Sequence, residues 1–188
     1  MKGLLTKKCE TEYFDTVTAF SPKELGECIL KYMEASDIED CTPVILCIGT
    51  DRATGDCLGP LVGDKMLGYN PKYKVIGTLG SPVHALNIKE TISRIRREIY
   101  KPFVIAVDAS LGTSSHIGYI TVSNCPIAPG KGVNKKLPAI GDISITGIVN
   151  LSGQHPGLLQ STRLFTVMQL ADYIATALKY SIDYFEDF

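Results

Sequence analysis

The chain has 188 residues, 45% of them apolar, with 19 Lys and Arg against 20 Asp and Glu. This is enough to bury one full core, so a single domain over 1–188 is expected, with residues 1–20 as a flexible or extended N-terminal arm. A net charge of −1 offers no electrostatic footprint for nucleic acid, and no apolar run of about eighteen residues suits a membrane span.

The basic start Met1-Lys2-Gly3-Leu4 is not followed by the apolar h-region of a secretory leader. Cys9, Cys28, Cys41, Cys47, Cys57 and Cys125 form neither a C-x-x-C pair nor a zinc-type spacing, which predicts reduced thiols in a cytoplasm. Ser21-Pro22-Lys23-Glu24 reads as an N-cap, a Pro at the first helical position and an acid three residues on. Leu25, Cys28, Ile29, Tyr32 and Met33 then mark an amphipathic helix to about Ala35, in which Gly26 is a slight weakness. A buried strand over 43–49 follows, then a loop, then a short helix from Leu58 to about Gly68.

The second strand is predicted over 74–78. Ser81-Pro82 is read as the start of a helix carrying Ile88, Ile92, Ile95 and Ile99 on one face, closed by Lys101-Pro102, with Arg94, Arg96 and Arg97 on its solvated side. A third strand spans 103–108, and Gly118-Tyr119-Ile120-Thr121-Val122 alternates as a fourth. Residues 125–142, rich in Pro, Gly and Lys, form a long loop of the functional or mobile kind. A strand over 143–150 and a closing amphipathic helix from Leu164 to Leu178 complete the chain. Alternating strands and helices predict an α/β fold, a three-layer sandwich with a mostly parallel central sheet. If the first three strands lie in the order two, one, three, the loops bearing Asp56 and Asp108 face each other at the switch point.

Those two acids are the candidate catalytic pair. Each follows an apolar strand, and open parallel sheets bind ligands beyond the carboxyl ends of their strands. Two neighbouring carboxyls do not both ionise freely: one holds a proton while the other acts as a base, or both hold a divalent metal. The alternative is that Asp56 caps the following helix and Asp108 closes a turn. No cofactor is expected. A metal site stays open, built from Asp56 and Asp108 with His84 or His155.

Substrate-binding candidates are Asp51, His84, Lys131 and Asn134. Asp51 lies nearer the strand end than Asp56, with Arg52 as its expected salt-bridge partner. His84 is placed in a first helical turn, while Lys131 and Asn134 lie in the long loop, where a lysine can grip an acidic ligand. Gly49, Gly55 and Gly59 match neither G-x-G-x-x-G nor a P-loop, and acids stand where backbone amides should meet phosphate, which argues against nucleotide binding. Cys57 is a poor nucleophile beside Asp56, whose charge disfavours its thiolate.

Ile48-Gly49-Thr50, Thr54-Gly55-Asp56-Cys57-Leu58-Gly59-Pro60, Val107-Asp108-Ala109, Pro129-Gly130-Lys131-Gly132-Val133-Asn134 and Ile145-Thr146-Gly147-Ile148 occur in this order. Together they resemble a sporulation protein family related to the spore germination protease. Gly77-Thr78-Leu79, Pro82-Val83-His84-Ala85 and Gln160-Ser161-Thr162-Arg163-Leu164 look like the sporulation subgroup. The resemblance implies a phosphorylase/hydrolase-like fold, shared with hydrogenase maturation endopeptidases, and a protease aspartate pair falling on Asp56 and Asp108. In those endopeptidases the first position is usually Glu, within a Glu/Asp/His metal set. Here Asp replaces it, and no histidine is placed by motif, although His155 lies in a loop before the last helix.

The function expected is therefore a cytoplasmic peptidase, of the forespore or spore core, cutting a protein or peptide substrate. The rival is a non-catalytic sporulation or regulatory protein that uses the same site to bind a partner or small molecule. Metal-recognising maturation of another protein is a third reading, and a homo-oligomer is compatible with all three.

Overall fold

The computed structural model describes residues 8–17, 21–36, 38, 40–129, 138–153, 157 and 159–186. Its centre is a six-stranded sheet built from β1 (Thr11–Asp15), β2 (Thr42–Cys47), β3 (Lys74–Ile76), β4 (Pro102–Gly112), β5 (Tyr119–Ser123) and β6 (Ile143–Leu151). The strand order is β1-β5-β6-β4-β2-β3. β3, β2, β4 and β6 run parallel, while β5 is antiparallel to both β6 and β1. The fold is α/β with a mostly parallel central sheet. The first three predicted strands lie in the order two, one, three, as the switch-point argument requires.

Side-chain alternation divides the core. Ile45, Cys47, Ile105, Val107, Ile143 and Ile145 point to one face, where α1 (Pro22–Glu34), α2 (Leu58–Met66) and α4 (Leu164–Glu186) cover them. Val44, Leu46, Val104 and Ala106 point to the other, against Ile88, Ile92 and Ile95 of α3 (Ile88–Glu98). Strands buried on both faces need apolar side chains at successive positions, which is why β2 reads as an unbroken apolar run. Each fully buried Ile or Leu contributes roughly 1.5–3 kcal/mol.

The coverage is unequal. Three helices shield one face, whereas α3 shields the opposite face only over the β2 and β4 half. Beyond α3 the strands turn polar on that side: Thr121 and Ser123 of β5 alternate with buried Ile120 and Val122, and Ser144 and Thr146 of β6 alternate with Ile143 and Ile145.

Three expectations change. The helix expected from Ser81-Pro82 begins at Ile88, because Val83 instead forms a parallel bridge to Ile48 and extends the line of β2. Part of the N-terminal arm is an edge strand, with Thr11 opposite Ser123 and Asp15 opposite Tyr119. That pairing brings Cys9 beside Cys125 in a disulfide, Cα to Cα 5.6 Å across 116 residues of chain, so these two thiols are not reduced as expected. Among the other cysteines, Cys28, Cys47 and Cys57 are buried.

Gly59 holds the first turn of α2 against the end of β2, where an added Cβ would overlap the backbone of Ile48. Gly49, at φ +142°, turns the chain out of the sheet so closely that a Cβ would overlap the Asp56 carbonyl. Gly59→Ala is expected to lower unfolding stability by about 1–3 kcal/mol, read from the urea midpoint. Cys9→Ser, which opens the long covalent loop, is expected to lower it by about 2–5 kcal/mol relative to the oxidised chain in the same assay.

Candidate active site

β2 ends at Cys47, and Ile48 continues its line, donating its amide to Val107 at 2.7 Å and so tying this exit to the end of β4. The chain then turns through Thr50 to a single 3-10 turn, Thr54–Cys57. The Thr50 amide donates to the Asp56 carbonyl at 3.0 Å, and the Gly55 amide donates to the Leu159 carbonyl at 2.7 Å. These bonds fix the Asp56 main chain beside the carboxyl end of β2. Asp56 does not cap α2: its N-cap is Cys57, without a side-chain capping bond.

Asp108 lies on β4 itself, opposite Thr146 of β6, two residues before a register shift between Ser110 and Leu111. Alternation sends its side chain to the α3 face, past the point where α3 offers cover. It is 7% exposed, and its Oδ1 accepts the Ala109 amide at 2.8 Å. Both acids line one pocket of about 790 Å³, a volume within the usual range for small-ligand sites. The structure thus brings Asp56 and Asp108 to the lining of the same pocket.

Both carboxyls are held above the ordinary carboxylate range. Burial pushes Asp108 well up, and the neighbouring Asp56 charge adds to it, against the Ala109 amide. Burial also raises Asp56, opposed by the Thr50 amide and the charge of His84. The two environments differ, which is how a carboxyl pair acquires distinct acid and base members.

His84 lines the same pocket, although it stands outside the helix expected to carry it. Asn87 holds this segment, accepting the His84 amide at 2.8 Å and donating to the Pro82 carbonyl at 3.0 Å. The His84 Nδ1 accepts the Leu86 amide at 3.3 Å, so in its neutral form the ring carries its proton on Nε2.

Asp51 lies apart from the other candidates. It is exposed and is not part of the pocket lining, because the chain turns outward after Thr50; its Oδ1 accepts the Thr50 hydroxyl at 3.4 Å. Among the described residues no ion pair joins it to Arg52, and Arg52 itself lines the pocket. Lys131, Asn134 and His155 lie outside the described residues. Among the described residues no three His, Cys, Asp or Glu side chains converge as a metal-binding group. Cys57 is tied down, its thiol donating to the Thr54 carbonyl at 2.9 Å and raised in pKa mainly by burial.

Hydroxyls that the motif reading passed over form part of the pocket. Thr121 and Thr146 sit 2.7 Å apart through their oxygens, and the Ser110 hydroxyl donates to Thr146 at 3.3 Å. The signal was the polar half of the alternation in β5 and β6.

Fold and site together define an α/β protein with a two-carboxylate pocket at the carboxyl edge of its sheet. The chain belongs to the family described as "Protein of unknown function (DUF1256)", whose model matches residues 17–177. It is 49% identical over 137 residues to the Bacillus subtilis (strain 168) protein titled "Uncharacterized protein YyaC", covering 72% of this chain and 67% of that one. A comparison of solved structures finds the [NiFe] hydrogenase maturation protease HycI from Thermococcus kodakarensis KOD1, with a TM-score of 0.43 and 19% identity, covering 78% of this chain and 99% of that one.

A carboxyl raised by folding is favoured in its protonated form. The stability it lends is complete below its unfolded value near pH 4 and is lost as pH rises through the raised folded value. Asp108→Asn keeps an oxygen for the Ala109 amide and removes the charge. The variant is expected to melt above the wild type at pH 8 and close to it at pH 4, with a flatter pH dependence by calorimetry.

Proposed function

We propose that the protein is a peptidase in which Asp56 and Asp108 divide the work of base and acid in hydrolysing a peptide bond. The observation that carries this reading is the meeting of two carboxyls in one pocket, both raised and unequally buried.

Asp56, the more accessible of the two, is the carboxylate. It takes a proton from a water molecule as the water oxygen bonds to the peptide carbonyl carbon. Asp108 enters protonated and gives its proton to the amide nitrogen as the carbon–nitrogen bond breaks. One turnover leaves the proton on Asp56 and none on Asp108, and exchange with solvent in the open pocket restores the first state. The Nε2 proton of His84 is the donor suited to the carbonyl oxygen as its negative charge grows. Arg52 adds positive charge to the lining. The resemblance to the germination-protease group is the ground for placing this activity in sporulation, with a spore protein as the substrate class.

Asp56→Asn and Asp108→Asn are each expected to reduce kcat by about 10²–10⁴-fold on small acid-soluble spore proteins or a mixed peptide substrate, with folding checked by circular dichroism. Undiminished turnover in both variants would remove the assignment. A wild-type protein that cleaves nothing yet retains a small molecule in native mass spectrometry would favour the binding-protein reading.

A further inference from the structure

The sheet face next to the acids continues away from them as an uninterrupted row. Asp108 is opposite Thr146, Thr146 is opposite Thr121, and Thr121 is opposite Tyr13, across β4, β6, β5 and β1. Alternation puts all four on the side that α3 leaves open, and among the described residues no helix lies over the β5 and β1 end of it. Neutral hydroxyls make the middle of the row.

Its far end is different. Tyr13 is 58% exposed, although it lies on a strand whose neighbour Phe14 is buried. The His116 ring lies 5.7 Å from Tyr13 and 5.1 Å from Tyr119, edge-on to the latter. Asp15, opposite Tyr119, bonds to the Tyr119 hydroxyl and accepts the Val17 amide at 2.8 Å. An exposed tyrosine ring, Tyr13, near a carboxylate favours a guanidinium or ammonium group over an apolar one. Strand spacing puts the Tyr13 Cα roughly 14 Å from that of Asp108. An extended polypeptide covers that span in about four residues.

We propose that this row is the bed for an extended polypeptide lying across the strands, and that Tyr13, Tyr119 and Asp15 form a subsite for an Arg or Lys side chain about four residues from the bond broken. The proposal rests on the peptidase reading of Asp56 and Asp108 and gives it a substrate class: chains with a basic side chain at a fixed distance from the cut. The hydroxyls of Thr121 and Thr146 serve the peptide main chain between the two ends, exchanging hydrogen bonds without selecting charge.

The test uses synthetic decapeptides of neutral sequence carrying one Arg, their Ala counterparts, and tripeptides too short to reach both ends. Binding is read by fluorescence anisotropy with the Asp56→Asn protein, and cleavage by mass spectrometry with the wild type. The Arg decapeptides are expected to bind about tenfold or more tighter than the Ala ones, a difference of about 1.4 kcal/mol. Adding Tyr13→Ala or Asp15→Asn removes that difference, Tyr13→Phe preserves it, and tripeptides show none.

Equal affinity for Arg and Ala peptides, a preference for an aromatic residue instead, an unaffected Tyr13→Ala variant, or no binding at all would each overturn the subsite. Decapeptides bound with the Arg preference but left uncut would sustain the subsite and sink the peptidase. Decapeptides cut without the preference would do the reverse.

Discussion

Parallel pairing of β2 with β4 is the constraint on which the site depends. Six successive residue pairs, Thr42 with Pro102 through Cys47 with Val107, hold the strands in register. Because both run the same way, the turn after one and the last residues of the other arrive at the same edge. Asp56 and Asp108, 52 positions apart in sequence, thereby line one pocket, with Asp108 in the field of Asp56. An antiparallel pair would have sent them to opposite ends of the molecule. The pairing is sustained on both faces by side chains that leave water completely, among them Ile45, Leu46, Ile105 and Ala106.

The unequal coverage of the two faces follows from the same sheet. Three helices bury one side along most of its width, so the strands can be apolar there throughout. Among the described residues only α3 lies on the other, and where its cover ends hydroxyls such as Thr121, Ser144 and Thr146 line the strands. A pocket results because the sheet is wider than the single helix on that face. On that face, in the segment after Cys125, Ile127 is bridged to Ile140, and both pack on the α3 side of the core. The disulfide from Cys9 anchors the start of this segment at the β1 edge, so an N-terminal strand and a pocket rim are covalently one unit.

The strands and the long helices were legible because their periods are strong. Val44 to Ile48 admits no amphipathic helix face of ordinary kind, and Leu164 to Leu178 admits no strand. The start of α3 was misread, since Ser81-Pro82 carries a good helix-start pattern that a tertiary bridge between Val83 and Ile48 overrides. Asp51 and Asp56 were nearly equivalent as sequence neighbours of β2. A 3-10 turn bonded to Leu159, far along the chain, turns the second inward and leaves the first in solvent.

The order of apolar runs, caps and glycines by itself determined the α/β class, the central strands and the two acids worth attention, because these features act within a few residues of one another. Tertiary structure alone decided which acid enters the pocket, how far burial raises each carboxyl, where Cys9 finds Cys125, and which hydroxyls line the open face. Those outcomes depend on contacts between segments scores of residues apart, and local propensity carries no information about the dielectric or the partners that such contacts create.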